Sequence, residues 1–171
     1  IADGRTFAYL LHQGEIRILV TQNDVRAIQL AKAALYAGVR LLMDKLNVDS
    51  VDRIRLAGAF GSHIDVKYAM VLGLIPDCRL ENVTSAGNAA GSGAHIALVD
   101  RNSREEIERE IRRIEKIETA VETRFQEHFV EAMAIPHKSA PFDELAKAVT
   151  LPLRTDAPSD SRSSGRRRRR R

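Results

Sequence analysis

The stretch IRLAGAFGSHID, residues 54–65, runs from β-forming residues into two glycines three positions apart. Gly58 and Gly61, with Ala59 between them, close a buried strand predicted over Val51–Ala59. There a bare backbone can approach a ligand, and open α/β sheets place their sites at such strand ends. The same residues serve equally as turn residues ahead of a short helix over Asp65–Leu72, which Gly73 ends as a C-cap. The stretch has neither the Gly-Lys-Ser/Thr of a phosphate-cradling loop nor the spacing of GxGxxG. Further on, GNAAGSGAHIAL, residues 87–98, follows a strand over Asn82–Ala86 and opens an apolar helix through Val99. Gly87, Ala90, Gly91 and Ala94 recur on one face at three-or-four spacing. Glycines inside a helix cost roughly 1 kcal/mol each, so close approach of another backbone is expected to offset the loss. Tight packing within the domain and a hinge both meet that requirement.

Outward from these stretches, Arg5–Leu11 and Glu15–Val20 read as a hairpin with Gly14 in the turn and Ile16, Ile18 and Val20 on one apolar face. Thr21 caps a long helix to about Leu46, with Asp24 in its first turn. Val25, Ile28, Ala31, Leu35, Val39, Leu42 and Leu46 give it a helical apolar period. Ser103 with Glu106 reads as a capping box for a charged helix to about Glu118, and Phe125–Met133 as one more helix. Periodicity weakens from Lys138, so residues 138–154 read as a weakly structured extension. Pro, Ser, Asp and Arg dominate 155–171, read as a disordered Arg-rich tail.

The 171 residues fit one domain, and the start at Ile1 leads to the expectation of a fragment. Hydrophobic residues are 44% and charged residues 29%, an ordinary globular balance. Seven of the 27 basic and two of the 23 acidic residues lie from Thr155 onward, which leaves a body of net charge −1. Basicity therefore belongs to the tail, where Arg166–Arg171 offer sequence-independent attraction to RNA, anionic lipid or an acidic protein surface. No Trp and 5% aromatics argue against stacking platforms for single-stranded nucleic acid. Cys78 is the single cysteine, which excludes an internal disulfide or a cysteine-ligated cluster and fits a reducing, cytoplasmic setting. No apolar run reaches the length of a membrane span. His63 and Asp65 adjoin the glycine turn, but His12, His95, His128 and His137 are scattered without ligand spacing, so no metal site is expected.

Three blocks in one order, TQNDVRAIQLAKAALYAGVRLLMD (residues 21–44), LAGAFGSHID and GNAAGSGAHIAL, resemble the reductive activators of corrinoid proteins. These are ATP-dependent iron-sulfur proteins with an actin-like (ASKHA) ATPase domain. GLIPD at 73–77 and RFQEHFVEAMAIP at 124–136 add to the resemblance, which covers roughly Gly4 to His137. It implies an α/β fold: half of an actin-like ATPase, a ribonuclease H-like subdomain with a mixed sheet flanked by helices, and extra C-terminal helices. Residues 1–137 would form that C-terminal subdomain. LAGAFG is similar to the adenosine motif of the superfamily, and GNAAGSGAHIAL to its second connecting helix at the hinge.

The resemblance implies that Gly58, Ala59 and Gly61 face adenosine or its α-phosphate with backbone, and that Lys32, with Gln29 one turn earlier, reaches the ribose or adenine. A solvated lysine on the long helix is the plain alternative. Asn88 would touch nucleotide or cap its helix, and Gly87, Ala90, Gly91 and Ala94 would form the hinge face. Both phosphate loops and the ferredoxin-like cysteines of the family have no counterpart in this sequence, so ATP with Mg²⁺ and a 2Fe-2S cluster are cofactors of the parent protein. No catalytic residue is assigned. The implied function is reactivation of cob(II)alamin on a corrinoid protein of a methyltransferase system, with homodimerisation left open and neither membrane nor nucleic acid as expected partner. Two other readings are an actin-like docking or assembly module without turnover and a nucleic-acid binder acting through the tail.

Overall fold

The computed structural model describes residues 2–3 and 6–151. It opens on three antiparallel strands in sequence order, β1 (Ala2–Asp3), β2 (Thr6–Gln13) and β3 (Arg17–Thr21). Tyr9 pairs with Val20 and Gln13 with Arg17, and the register shifts between Leu10 and His12, as an extra residue on one strand requires. The hairpin forms where the sequence predicts it, but Ile16 and Ile18 of the expected apolar face are exposed.

Helix α1 (Gln22–Leu46) starts on a reciprocal cap: Thr21 Oγ1 accepts from Asp24 N at 3.2 Å, and Thr21 N donates to the Asp24 carboxylate at 2.8 Å. Its buried residues are Lys32, Ala33, Tyr36, Ala37, Leu41 and Met43. The apolar stripe that marks the helix in the sequence is instead largely outward, with Val25, Ile28, Leu35, Leu42 and Leu46 all exposed. The inward face meets α6 and the loop after it, whose carbonyls and charges need polar partners from α1.

The second sheet is parallel and two-stranded. β4 (Ile54–Ala57) pairs with β5 (Val83–Gly87), Ile54 opposite Val83 and Leu56 opposite Ser85. Between them run α2 (Gly58–His63), α3 (Val66–Leu72) and a 3-10 turn at Leu80–Asn82. Among the described residues the hairpin and the parallel pair are separate sheets rather than one mixed sheet. Asp65 caps α3 by accepting from Lys67 N and Tyr68 N, and Gly73 ends it in the left-handed region.

Helices α4 (Ala89–Val99), α5 (Arg101–Ile111), α6 (Thr123–Ala132) and α7 (Asp143–Ala148) follow. The expected box at Ser103 and Glu106 is not the start of α5. Asp100 caps it, accepting from Asn102 N at 3.0 Å and Ser103 N at 3.3 Å, and Ser103 Oγ also donates to that carboxylate. A carboxylate at the N-cap outcompetes a hydroxyl one turn later because it takes several donors and opposes the helix dipole. The helix ends at Ile111, well short of Glu118.

Ala33 and Tyr36 of α1, Ala69 and Met70 of α3, Ile75, Cys78, Val83, Ala132, Phe142 and Leu145 form the core. Residues 138–151, read from the sequence as a weakly structured extension, thus carry α7 and two core side chains. The segment is short and polar in period, and only its placement against Asp77 explains it: that carboxylate accepts from Glu144 N at 2.8 Å and Leu145 N at 3.0 Å. Helix α6 is fixed to α1 by charge, with Asp44 lying 2.6 Å from His128 Nε2, 3.0 Å from Arg124 and 3.5 Å from Arg40, and Lys45 lying 2.7 Å from Glu122. The tail from Thr155 lies outside the described residues.

Gly73 packs so closely that a Cβ there would collide with the Pro136 carbonyl and come within 3.0 Å of Lys32 Nζ, at a backbone φ of +74°. Gly73→Ala should therefore lower stability by about 3 kcal/mol or more. Gly38→Ala, in α1 with nothing within 4 Å, should raise it by about 0.5–1 kcal/mol. Urea unfolding of the two variants beside the parent sequence checks both signs.

Candidate functional site

A glycine in the left-handed region follows β4 and another ends β5, Gly58 with φ +95° and Gly87 with φ +63°. Ala57 sits opposite Gly87 across a register shift, so the two glycine turns lie side by side at the carboxyl edge of one sheet. A Cβ built on either glycine would have no heavy atom within 4 Å. Ordinary residues avoid such φ values, so each glycine is required by the turn, while the space in front of each is open.

Gly61 differs. A Cβ there would come within 3.0 Å of the Leu56 backbone carbon, so this glycine lets α2 lie against the end of β4. It borders a recess of about 240 Å³ with Leu35, Leu56, Ile64 and Leu74. Ser62 Oγ donates to the Gly58 carbonyl at 2.9 Å and closes the turn from inside. Ala59 is exposed beside Gly58.

At the second turn, Ser85 Oγ accepts from Gly87 N at 3.2 Å, and Asn88 Oδ1 accepts from Gly91 N at 3.0 Å. Asn88 therefore caps α4. A Cβ on Gly91 would meet Asn88 Nδ2 at 2.6 Å, so Gly91 is small because the cap folds over it. No residue of α4 is buried, and Ala90 and Ala94 are exposed. The small face that the spacing marks for a helix contact is thus open among the described residues.

Lys32 and Gln29 take partners that the sequence does not reveal. Lys32 is fully buried, and its ammonium donates to the carbonyls of Ala134 and, at 2.5 Å, Pro136. Gln29 Nε2 donates to the Met133 carbonyl at 2.9 Å. Both side chains are thus committed to the loop after α6, which contains the cis Ile135–Pro136 peptide. Burial lowers the lysine to about 8 because the charged form loses hydration. The plain reading of Lys32 as a solvated surface lysine is ruled out. A faint signal exists in the sequence, since Lys32 shares a helix face with Ala33, Tyr36 and Ala37, none of them charged.

Next to this clasp, His137 packs on Tyr36 at a ring distance of 4.9 Å, and its Nδ1 accepts from Ser139 N at 3.2 Å and Ala140 N at 2.9 Å. Burial holds its proton affinity below the ordinary histidine value, which suits a ring nitrogen that must stay an acceptor. Among the described residues no group of three His, Cys, Asp or Glu side chains could hold a metal ion.

Comparison with known proteins places this geometry in a lineage. The family model described as the C-terminal domain of RACo, the ASKHA domain, matches residues 2–146. The corrinoid activation enzyme RamQ of Eubacterium limosum is 46% identical over 86 residues, which are 49% of this chain and 14% of that protein. A solved structure described as a reductive activator for corrinoid, iron-sulfur protein superposes with a TM-score of 0.65 at 34% identity, over 71% of this chain and 20% of that one. The chain thus spans well under a quarter of the length of either relative.

Lys32→Met keeps the stem but leaves the Ala134 and Pro136 carbonyls without their donor, which should cost about 1–3 kcal/mol near neutral pH. The pH dependence has a definite sign. With the folded lysine near 8 and the free value at 10.5, the unfolded chain holds the proton more tightly, so the burial cost is complete below about 8. It fades as pH rises toward 10.5. Urea unfolding between pH 7 and 10.5 should show this rise in stability for the parent sequence and its loss in Lys32→Met.

Proposed function

Because this chain belongs to the family of RACo C-terminal ASKHA domains, we propose that it forms the adenosine side of an ATP cleft and the hinge helix of a corrinoid activator. The observation that supports the cleft is the pair of open glycine turns on one sheet edge, Gly58 and Gly87. A backbone with no side chain in front of it lets a nucleotide approach to hydrogen-bond distance, and strand carboxyl ends are where such sheets bind ligands. In this reading Gly58 and Ala59 face the adenosine with backbone, and Gly61 keeps α2 seated so that the turn holds its shape. Lys32 and Gln29 act one step removed, by holding the loop after α6 against α1.

The open small face of α4 fits the hinge role. Gly87, Ala90, Gly91 and Ala94 would let a helix from the other half of the ATPase domain cross closely, and nucleotide-dependent closure would turn about that crossing. In the parent protein, ATP binding or hydrolysis with Mg²⁺ would drive an uphill electron transfer. One electron would leave a 2Fe-2S cluster and reduce cob(II)alamin on a corrinoid protein to the Co(I) form. The thiols for that cluster must come from outside this chain, whose sole cysteine, Cys78, is buried. A reducing, cytoplasmic setting belongs to the same reading.

The test is nucleotide titration by calorimetry on the full-length parent. Gly58→Val should weaken ATP and ADP at least tenfold, about 1.4 kcal/mol. Thermal unfolding without nucleotide separates this from the strain that any side chain meets at φ +95°. A well-folded Gly58→Val that binds both nucleotides like the parent would remove the adenosine assignment. The isolated chain should release no phosphate from Mg-ATP, and turnover that survives purification and disappears on mutating this chain would place the active site here instead.

A further inference from the structure

Helix α1 leaves an apolar face outside. There Ile28, Leu35 and Leu42 recur every seventh residue and are 42%, 50% and 51% exposed. Beside this ridge runs a row of small residues, with Ala27, Ala31 and Ala34 exposed and Gly38 half-buried. No charge interrupts the face between Asp24 and Lys45. Lys32 is buried, Arg40 pairs with Asp44, which itself turns to His128 and Arg124 of α6, and the helical period puts Arg26 on the far side.

Gly38 is an independent observation. It lies inside α1, where glycine weakens a helix, yet its backbone is ordinary helix and a Cβ there would have no heavy atom within 4 Å. Nothing among the described residues requires a glycine at this place. A groove of about 370 Å³ opens over it, bordered by Ala34, Leu35, Leu42 and Ile117. So bare a floor serves only a neighbour that approaches closely from outside.

The face is complementary to itself. Laid antiparallel on a second copy, it sets Leu35 against Ala34, Leu42 against Ala27 and Gly38 against Ala31, so that large side chains meet small ones as interdigitated helices require. One patch supplies both halves of every match, which is the condition for a two-fold interface. Parallel pairing in register would instead stack each ridge residue on its own copy and bring like charges together at both ends. Antiparallel pairing brings Asp24 to Lys45 and opposes the helix dipoles. Thr21 and Glu122 already hold those two side chains, so the ends set the direction and the apolar stripe supplies the attraction. We propose that the outer face of α1 is the interface of an antiparallel, two-fold dimer with a second copy of this chain.

The 25 residues of α1 span about 37 Å, and a contact about 10 Å wide along them hides roughly 400 Å² per copy, the small end of specific interfaces. The dimer is therefore reversible, with a dissociation constant in the micromolar range. Its formation is independent of the nucleotide cleft, and the test uses no nucleotide.

Sedimentation equilibrium of the full-length parent should show this dimer, and Leu35→Glu should weaken it at least tenfold. Ile16→Glu, at a site 74% exposed on the hairpin, should leave it unchanged. Gly38→Leu should raise the thermal unfolding temperature, because the space before it is open, and still weaken the dimer at least tenfold, because the close approach is lost. Leu42→Glu copies mixed with Ala27→Lys copies should associate at least tenfold more tightly than either alone, which antiparallel order permits and parallel order does not. A parent that stays monomeric at 100-fold above micromolar concentration, on the order of 0.1 mM, would overturn the proposal. So would a dimer indifferent to Leu35→Glu and Gly38→Leu, one weakened equally by Ile16→Glu, or a charge-swapped mixture that gains nothing.

Discussion

One buried ammonium joins three parts of this fold. Lys32 Nζ on α1 reaches the carbonyls of Ala134 and Pro136, and the same point is approached by Gly73, the residue that ends α3. A lysine loses its hydration on burial at considerable cost, and the cost is met only if strong acceptors replace the water. Carbonyls from a loop can do this without bringing a second charge. The position of α1 against α6, the path of the loop through Pro136 and the stop of α3 are therefore tied to one another.

From that point the core and the candidate cleft follow. Ending α3 at Gly73 sends the chain through Ile75 and Cys78, both buried, to β5, and pairing of β5 with β4 puts the two glycine turns on one edge. The turns could not be side by side if the crossover through α2 and α3 were packed differently. Gly61 contributes by its closeness to Leu56, whereas Gly58 and Gly87 contribute conformations that open the backbone to the outside. The motif thus contains glycines of two physical kinds, one serving packing and two serving the edge.

Much of the architecture is legible in the residues, for local reasons. Thr21 and Asp24 close a cap between neighbours, Gly73 ends a helix by its own φ, and the β-rich runs around Gly14 form a hairpin. The family could be read because its blocks are contiguous and ordered. The inward face of α1 could not. Its periodic apolar residues, from Val25 to Leu46, are largely exposed, and its buried face includes a lysine and a tyrosine. Period alone identifies a helix but does not say which face meets the core when the partner surface is polar.

The sequence by itself determined the hairpin, the Thr21 cap of α1, the end of α3 at Gly73, the glycine turns and the kinship, because these depend on residues within a few positions of one another or on an ordered pattern of short blocks. Tertiary structure alone decided what Lys32 and Gln29 hold, that Asp44 gathers His128 and Arg124, and that Asp77 caps α7. It also decided that Tyr36 is buried against His137 and Phe142. Each of these pairs residues far apart in the chain, in places where burial makes an unmatched polar group costly. No local propensity encodes which distant partner removes that cost.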